Sequence, residues 1–454
     1  MTIKKISEKR IFLIFFLIIL SLFSIRTVIT KEGVGSDGVF HFVITRSIFF
    51  DNDINVSNEY EFYNDFTTYF TGNPKIPSFF LDNPGTKTGH RNIVAPLGVD
   101  LLWLPFFALA HSIILFINWI GFNIPANGYS LPYEYAAGFG SILIGIFGLY
   151  CLYKFSRKYF DKEICLFSIT SIFFASSLFF YTALQPSVSH VVSMAFVSFF
   201  IYWWFSKDKN KVSTWIILGI ISGIMVMVRW QNILFLSVVG IEFIKEIFDR
   251  IKNKNFIAGY HVLLGHLLFF LFFTIFFSPQ MFFWKIQQGS FLTIPQGPGF
   301  LTWFHPHLFE MLFLDNNGLF YFTPLILFSV IGLYFLYKKD KNLTLYFIIF
   351  LILQIYINSI VSDWNGGEGF GARRFINCTI IFVLGFAALV EYLSHKIKIK
   401  WIYISVLLLI LWNLNLISQY LFGMIGLGKP TPLRDLIINT FKLIYKIISL
   451  DFIK

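Results

Sequence analysis

The sequence predicts an all-α membrane protein, a polytopic helical bundle of about 10–12 transmembrane helices with an extracytoplasmic first loop that carries surface helices. Two observations lead to this fold class. Hydrophobic residues make up 56% of the 454 residues and charged residues only 13%, whereas a soluble domain carries roughly 25% charged residues. The apolar residues are also concentrated in runs that are long enough to cross a bilayer as helices.

The candidate spans form one polytopic domain, residues 1–430, which is followed by a C-terminal segment, residues 431–454. Apolar and basic positions alternate at helical spacing in the C-terminal segment, which predicts an amphipathic helix on the membrane surface or a short final span. The candidate spans are 11–30, 96–120, 132–153, 163–183, 186–205, 213–231, 233–248, 257–283, 317–337, 343–361, 374–394 and 401–422.

The formal net charge of +11 has a topological explanation. Lys and Arg form short clusters between the apolar runs, which is the pattern of cytoplasmic loops under the positive-inside rule, so we expect no nucleic-acid partner. The loops 31–92, 284–316 and 362–373 then face the extracytoplasmic side. This orientation requires that the stretch 96–120 does not reverse the direction of the chain: it is re-entrant, tilted along the surface, or wrongly counted as a span.

The N-terminal segment MTIKKISEKR precedes an apolar run, and no small-x-small cleavage site follows that run. A signal peptide normally ends in such a site. We therefore expect an uncleaved first helix that enters from the cytoplasm, in a multi-pass protein of the cell membrane.

The sequence predicts no metal site built on Cys or His. The Cys side chains form no CxxC motif and lie in or beside apolar runs, as core residues do. His305 and His307 are two residues apart and would point to different faces of a helix. Asp51 and Asp53, in FFDNDIN, are oxygen ligands of the type that divalent cations prefer; a solvated turn is the alternative. The sequence therefore assigns no cofactor and leaves a divalent cation as an open alternative.

The first loop is rich in carboxylates in a chain that otherwise has few. Asp37, in GSDG, follows the first apolar run and precedes FHFVITRSIFF, which resembles a helix along the membrane surface. A carboxylate there is placed to take a proton from an acceptor hydroxyl at the interface, because a general base needs reach first of all; a turn residue or helix N-cap is the alternative. Glu59 is a second candidate, since Tyr60 and Phe62 would bury it.

Cations at the ends of apolar runs are candidates for binding a phosphate. Arg373 and Arg374 follow a glycine-rich loop in WNGGEGFGARRF, and the guanidinium fork matches phosphate geometry. Arg229, in MVRWQN, and Lys285, in the loop 284–316, are further candidates. The alternatives are structural roles or side chains that extend to the membrane surface.

Side chains of the types that contact sugars accompany these cations. His190, in LQPSVSH, interrupts an apolar stretch, and a polar residue inside a span usually points into the bundle or a wet cavity; Ser187 or Ser189 capping the helix is the alternative. Gln side chains form hydrogen bonds with sugar hydroxyls, and Trp side chains stack on the face of the sugar ring. The remaining candidates for substrate binding are Gln288, Trp303, His305 and Trp364.

The order of these features resembles the GT-C superfamily of polytopic glycosyltransferases, in particular the family 39-like branch of protein mannosyltransferases and lipid A aminoarabinose transferases. The resemblance implies an enzyme that moves a sugar from a polyprenyl-phosphate donor to an extracytoplasmic acceptor, which is a glycan, a lipid or a protein. It rests on the stretches SDGVFHFVITRSIFFDNDINVSNEY, HRNIVAPLGVDLLWLPFFALAH, MVRWQN, LDNNGLFYFTPL and WNGGEGFGARRF.

By position, Asp37 matches the family's first-loop aspartate, which acts as base towards the acceptor. This chain departs from the family pattern at two places. Gly38 stands where the second acidic residue of the first loop is usual, and Ser189 and His190 stand where many relatives carry an aspartate at a later helix start. Both departures leave the metal dependence open.

Two other classes of function fit parts of the pattern. A transporter or flippase of a lipid-linked or anionic substrate would need charged residues at mid-membrane and pseudo-symmetric halves, but here the polar segments gather on one side. A lipid-linked glycan polymerase or ligase usually has one large loop late in the chain, whereas the long loop here comes first. Both alternatives share the expected membrane location.

Overall fold

The computed structural model describes residues 7–71, 86–252, 256–426 and 428–449, and its helices confirm the predicted all-α membrane class. Seven helices in the described ranges are long and apolar enough to cross a membrane, or eight if one bent pair counts as a single span. Two shorter apolar helices, His190–Ser206 and Val212–Val228, accompany them. The chain is therefore a multi-pass membrane protein. Residues 72–85 of the first loop, which include most of TGNPKIP and the start of DNPGTKTGHRN, lie outside the described residues.

The chain forms two compact units: unit 1 is Met1–Tyr150 with Tyr181–Gly297, and unit 2 is Cys151–Phe180 with Pro298–Lys454. In chain order up to Gly297, the helices are α1 Glu8–Thr30, α2 Gly38–Arg46, α3 Ser57–Thr71, α4 Gly98–Trp119, α5 Leu131–Ser156, α6 Lys162–Phe174, α7 Ser177–Phe179, α8 His190–Ser206, α9 Val212–Val228, α10 Ser237–Lys252 and α11 Phe256–Gln288. Of these, α6 and α7 belong to unit 2. The remaining helices are α12 Leu308–Phe313, α13 Leu319–Phe322, α14 Pro324–Lys339, α15 Lys341–Ser359, α16 Thr379–Ser394, α17 Ile399–Leu421 and α18 Leu433–Ile448.

Helices α1 and α5 of unit 1 pack antiparallel. Near the end of α1, the Ser24 hydroxyl lies 2.7 Å from the Tyr135 hydroxyl at the start of α5. Near the start of α1, the ring of Phe12 meets that of Tyr150 at 5.4 Å. The end of α1 and the start of α5 thus lie at the same end of unit 1, which we call the loop end.

Helix α8 begins well below the loop end. Val191, one residue into α8, packs against Gly145 of α5, where an added Cβ would lie 2.5 Å from it, and Ala195 packs against Gly148 in the same way. The two helices therefore run in the same direction. A helix rises 1.5 Å per residue, so Gly145 lies roughly 20 Å from Leu131 along α5. The start of α8 therefore lies inside the bundle, roughly 20 Å from the start of α5 at the loop end.

Helix α9 also ends inside the bundle. It runs parallel to α11, because Gly219 packs against the backbone of Phe269 and Gly223 against that of Phe273. Helix α11 continues beyond the end of α9, to Gln288 at the loop end. The start of α8 and the end of α9 therefore leave a depression that other segments of unit 1 line.

Helix α4 lines this depression: it begins inside the bundle, where Gly98 packs on Val228, and ends at the loop end. Its C-terminal half pairs antiparallel with the start of α5, through His111 Nδ1 and the Tyr133 hydroxyl at 2.6 Å. The chain enters its N-terminus from the loop end, where the Gln288 side chain donates to Asn92 Oδ1 at 2.8 Å. Helix α4 therefore does not reverse the chain direction, as the preferred orientation requires.

Helix α2 accompanies α4 in the same direction. His41 meets Asp100 at the start of both helices, and further along the ring of Phe42 lies 5.6 Å from that of Phe107. Helix α2 thus starts in the depression and rises towards the loop end, so Asp37, directly before it, stands at the deep end of the helix.

Unit 2 is built around α16, which packs on α14 through two glycines. A Cβ added to Gly332 of α14 would lie 1.9 Å from the carbonyl oxygen of Gly385 in α16, so only glycine permits this contact. The C-terminal helix α18 is tied to α17 by the Gln419 amide, which donates to the Leu436 carbonyl at 2.9 Å. Phe441 and Tyr445 of α18 are exposed, and the choice between a surface helix and a short span stays a prediction.

Candidate active site

Asp37 is exposed and occupies the N-cap position of α2, but its side chain makes no capping hydrogen bond to the helix. The next residue, Gly38, packs directly on Ser187, since a Cβ added there would lie 2.4 Å from Ser187 Oγ. The backbone N–H of Gly35 also points to Ser187 Oγ, at 3.5 Å. The turn that carries Asp37 is therefore docked onto the segment before α8.

The same segment binds Arg229 at the end of α9. Arg229 Nη1 donates to Ser189 Oγ at 3.1 Å and lies 2.9 Å from His190 Nδ1. Because Nδ1 accepts this hydrogen bond, the neutral His190 carries its proton on Nε2. The Ser189 side chain does not cap α8; its oxygen serves Arg229 instead.

The start of α4 closes this arrangement into a ring. A Cβ added to Gly98 would lie 2.4 Å from the backbone nitrogen of Val228, and the N–H of Leu97 donates to Gln280 Oε1 at 2.7 Å. We call residues 37–41, 97–100, 187–190 and 228–229 the polar ring. It brings the predicted base Asp37 together with His190, predicted to bind substrate, and Arg229, predicted to bind the donor phosphate.

A buried imidazole and carboxylate belong to the ring and were not among the predicted site residues. His41 Nδ1 lies 2.6 Å from Asp100 Oδ1, and the two residues are 3% and 0% exposed. The other carboxylate oxygen of Asp100 is buried without a hydrogen-bond partner among the described residues. The sequence carried a signal for Asp100, because an ionisable residue inside an apolar run is expensive and commonly functional.

Glu59, the second predicted base, lies outside the ring, at the far end of α2. Its Oε1 accepts from Arg46 Nη1 at 2.7 Å, and the same nitrogen pairs with Asp51. The guanidinium of Arg46 lies over the Tyr129 ring, 4.5 Å from its centroid. Burial raises the pKa of Glu59 to about 7 although Arg46 opposes the shift. The catalytic role of Glu59 stays a prediction.

Glu134, which the sequence did not single out, fixes the start of the first loop. Its Oε2 accepts from the N–H groups of Gly33 at 2.9 Å and Val34 at 3.2 Å. Its Oε1 accepts from the Tyr63 hydroxyl at 3.1 Å. A single buried carboxylate at the start of α5 thus holds the backbone that leads to Asp37.

Lys285 and Gln288, predicted to bind donor and substrate, lie at the loop end of α11. Lys285 is exposed and donates to the Gly289 carbonyl at 3.0 Å. Gln288 is engaged with Asn92, and its neighbour Gln287 donates to the Ile54 carbonyl at 2.7 Å. These glutamines tie three loop segments together, which leaves Lys285 as the more available group.

The two aspartates considered for a divalent cation make protein contacts. Asp53 Oδ1 accepts from the Ser47 hydroxyl at 2.7 Å and from the Asn55 N–H at 3.0 Å. Asp51 accepts from Asn58 at 2.9 Å and pairs with Arg46. In the described part of the chain, His, Cys, Asp and Glu form no group of three that would hold a metal ion.

The Gly-Arg loop of unit 2 distinguishes its two arginines. Arg374 is paired with Asp363, donating to its carbonyl at 2.8 Å and to its carboxylate at 2.6 Å. The Arg373 side chain lies against the backbone of the loop, where a Cβ added to Gly369 would be 2.6 Å from Arg373 Nε. Gly369 thus leaves space for the Arg373 guanidinium.

Asn317 holds the Gly-Arg loop in shape, and sequence reasoning missed it. Its amide nitrogen donates to the carbonyls of Asn365 at 3.0 Å and Gly369 at 2.9 Å, and its oxygen accepts from the Gly371 N–H at 3.0 Å. Its φ of 62° is one that Asn adopts more readily than most residues. The signal was the pair NG in LDNNGLFYFTPL, which is typical of a turn.

Among the aromatic candidates of unit 2, Trp364 is part of this loop, and a β-bridge between Leu301 and Val361 brings the segment of Trp303 next to it. Trp364 stacks on His307, with ring centroids 5.5 Å apart and planes at 24°. Trp303 is 50% exposed and its carbonyl accepts from the Tyr356 hydroxyl at 2.9 Å. His305 is exposed. Trp303 presents an exposed aromatic face, and the role of Trp303 and Trp364 in binding a sugar stays a prediction.

The fold and the polar ring define a class of protein: a polytopic helical membrane protein with a polar site at one end of its helices. A model of the family described as dolichyl-phosphate-mannose-protein mannosyltransferase matches residues 132–281, a part of the chain that includes His190, Arg229 and Gln280. This match confirms the resemblance to the GT-C superfamily. No curated protein matches the chain.

Among solved structures, the chain is similar to the apo crystal structure of ArnT from Cupriavidus metallidurans. The sequences are 13% identical, the TM-score is 0.49, and the similarity covers 92% of this chain. The chain spans 65% of the length of that protein.

Proposed function

We propose that the protein is a membrane glycosyltransferase that moves a sugar from a polyprenyl-phosphate donor to an acceptor hydroxyl on the extracytoplasmic side. The observation that carries this proposal is the polar ring. It holds one exposed carboxylate, Asp37, close in the fold to a guanidinium, Arg229, and an imidazole, His190, at the deep end of a depression between apolar helices. A lipid-linked donor has the matching chemistry, with an anionic phosphate and an apolar tail.

In this mechanism the acceptor oxygen attacks the anomeric carbon while the bond from that carbon to the phosphate oxygen breaks. Asp37 takes the proton of the acceptor hydroxyl as general base. Negative charge develops on the phosphate, and Arg229 stabilises it electrostatically. His190, with its Nε2–H as donor, hydrogen bonds a substrate oxygen. Attack from the side opposite the phosphate inverts the anomeric carbon.

Arg373 and Arg374 of unit 2 stay candidates for binding a phosphate. The glycines of their loop let a ligand approach closely, and Arg374 also neutralises Asp363. Lys285 adds an exposed positive charge at the loop end of α11. The acceptor is a glycan, a lipid or a protein, and the protein lies in the cell membrane with its N-terminus in the cytoplasm.

The test is transfer from radiolabelled polyprenyl-phosphate sugars in membranes that contain the protein. Asp37→Asn removes the base and keeps the shape of the side chain, and we expect a loss of about 100-fold or more in kcat. Arg373→Ala is expected to raise the KM for the donor. If no donor gives product with the native protein, or if both variants transfer normally, the proposal is wrong.

Matched variants control for nonspecific damage. Asp53→Asn removes the charge of another carboxylate in the same loop. The amide oxygen of Asn can still accept the hydrogen bonds of the turn, so normal transfer is expected. Arg434→Ala removes an exposed cation of α18 and is likewise expected to leave the donor KM unchanged. A general effect of charge on the membrane protein would appear in both controls.

A further inference from the structure

We propose that His41 and Asp100 form a proton-accepting pair that serves Asp37 during transfer. The inference rests on the proposed function, because it gives the acceptor proton a place to go after Asp37 has taken it. It assigns a role to two ring residues that the proposed mechanism leaves unused. His41 does not contact the substrate in this proposal; it acts by taking the proton from Asp37.

The first argument is the spacing on α2. Asp37 has the backbone angles of a right-handed helix, φ −55° and ψ −18°, so it continues the geometry of α2. Residues four apart on a helix lie on the same face, one turn from each other. His41 is therefore the imidazole that stands one turn from the base.

The second argument is the orientation of the imidazole. Asp100 Oδ1, at 2.6 Å, fixes the proton on Nδ1, which leaves the lone pair of Nε2 as the acceptor. Among the described residues, Nε2 of His41 has no hydrogen-bond partner. In this arrangement the buried carboxylate holds one ring nitrogen, and the other nitrogen can take a proton. An imidazole base is commonly oriented by a third group in this way.

The third argument is that packing alone does not require the pair. A buried charged or polar pair is commonly no more stabilising than apolar residues of similar volume. Helices α2 and α4 are already joined by the Phe42–Phe107 contact and by the Thr45 hydroxyl, which lies 3.2 Å from the His41 carbonyl and 3.3 Å from that of Asp100. The buried pair therefore calls for another role.

The proton path follows from these positions. The acceptor oxygen bonds to the anomeric carbon, and the electron pair of the breaking bond stays on the donor phosphate. The acceptor proton passes to the Asp37 carboxylate and from there to His41 Nε2, where the Asp100 carboxylate stabilises the imidazolium. Substrates bound over Asp37 would separate it from water, so the pair holds the proton until product leaves.

The experiment compares His41→Asn with the native protein in the transfer assay. The Asn amide can keep a hydrogen bond to Asp100 but cannot accept the proton. We expect kcat to fall by about 100-fold, with both KM values and the unfolding temperature unchanged. In His41→Ala, added imidazole is expected to restore part of kcat. A role limited to packing predicts a normal kcat in His41→Asn and no rescue, and that result would overturn the proposal.

Two further variants complete the test. Asp100→Asn keeps an acceptor for Nδ1–H but cannot stabilise an imidazolium, so it must also lose kcat; it replaces His41→Asn if that variant does not fold. Thr45→Val removes the hydroxyl that bonds the backbone carbonyls of His41 and Asp100 but leaves both side chains in place, and normal transfer is expected. If the native protein transfers no sugar at all, the proposed function fails. If it transfers and the pair variants do so equally well, only the proton path fails.

Discussion

Gly38 and Ser187 are in such close contact that no side chain fits between them: a Cβ on Gly38 would lie 2.4 Å from Ser187 Oγ and 2.8 Å from the Ser187 carbonyl oxygen. This contact sets the position of Asp37 relative to the segment that binds Arg229. It also explains a departure from the family pattern, since an acidic side chain after Asp37 has no room here. Glycine at this position is a requirement of the ring.

Gly38→Ala should therefore disturb the ring without removing any catalytic group. Overpacking of this kind typically costs about 1–3 kcal/mol, so we expect a lower unfolding temperature and a reduced transfer rate. The double variant Gly38→Ala/Ser187→Gly removes the hydroxyl and Cβ on the other side, and it should recover part of both losses. Thermal unfolding in detergent and the transfer assay measure the two effects. Equal defects in the single and double variants would show that the contact is unimportant.

Arg229 is expected to tolerate no replacement fully. Arg229 Nη1 bonds both Ser189 and His190, and a lysine ammonium lacks the planar fork that matches phosphate geometry. We predict that Arg229→Lys retains a fraction of donor affinity and that Arg229→Ala loses nearly all transfer. Donor KM and kcat of both variants are the measurement. A native donor KM in Arg229→Ala would contradict the assignment of this residue to the phosphate.

Glu59 should make the stability of the protein depend on pH. Its pKa in the folded protein is raised to about 7, above the value of roughly 4.3 expected in an unfolded chain, so the folded state binds more protons between these values. Stability from this group is then fully present below about pH 4 and is lost as pH rises through about 7. The charged side chains beside Glu59 are Arg46, which pairs with it, and Asp51, which pairs with the same guanidinium.

The measurement is the unfolding temperature from pH 5 to pH 8 for the native protein and for Glu59→Gln. The native protein should lose stability across this range by an amount on the order of 1–3 kcal/mol. In Glu59→Gln this loss should be absent, because the amide does not titrate. Parallel pH profiles for the two proteins would mean that Glu59 is ionised throughout and held by Arg46.

The apolar runs predicted most of the fold, because in a membrane protein the length and hydropathy of a run largely decide whether it forms a span. The stretch 96–120 shows the limit of this reasoning. Its hydropathy is that of a span, yet the chain enters helix α4 from the loop end, and the helix returns to the loop end. The charge distribution in the sequence indicated that the stretch does not reverse the chain. The position of its N-terminus inside the bundle is given only by the contacts of Gly98 and Leu97.

The candidate site was predicted in part, and the missed residues have a common physical reason. Asp37, Arg229 and His190 were recognisable because polar side chains are rare beside long apolar runs. Their convergence depends on Gly38, Gly98 and the serines before α8, whose small size matters only when two distant segments meet. His41 and Asp100 are 59 residues apart in the chain, and nothing in either segment alone indicates the pair.

Asn317 provides the last prediction, because three hydrogen bonds from one amide shape the Gly-Arg loop. Asn317→Asp keeps the size of the side chain but replaces the donor by a carboxylate, which would face the carbonyls of Asn365 and Gly369. Loss of such bonds with partners left unpaired costs about 1–3 kcal/mol, so we expect lower stability and a raised donor KM. Asn316→Asp, one residue earlier in the same turn, is the matched control. A donor KM that rises in Asn317→Asp and not in the control would link the shape of the loop to the position of Arg373, while equal values in both would separate them.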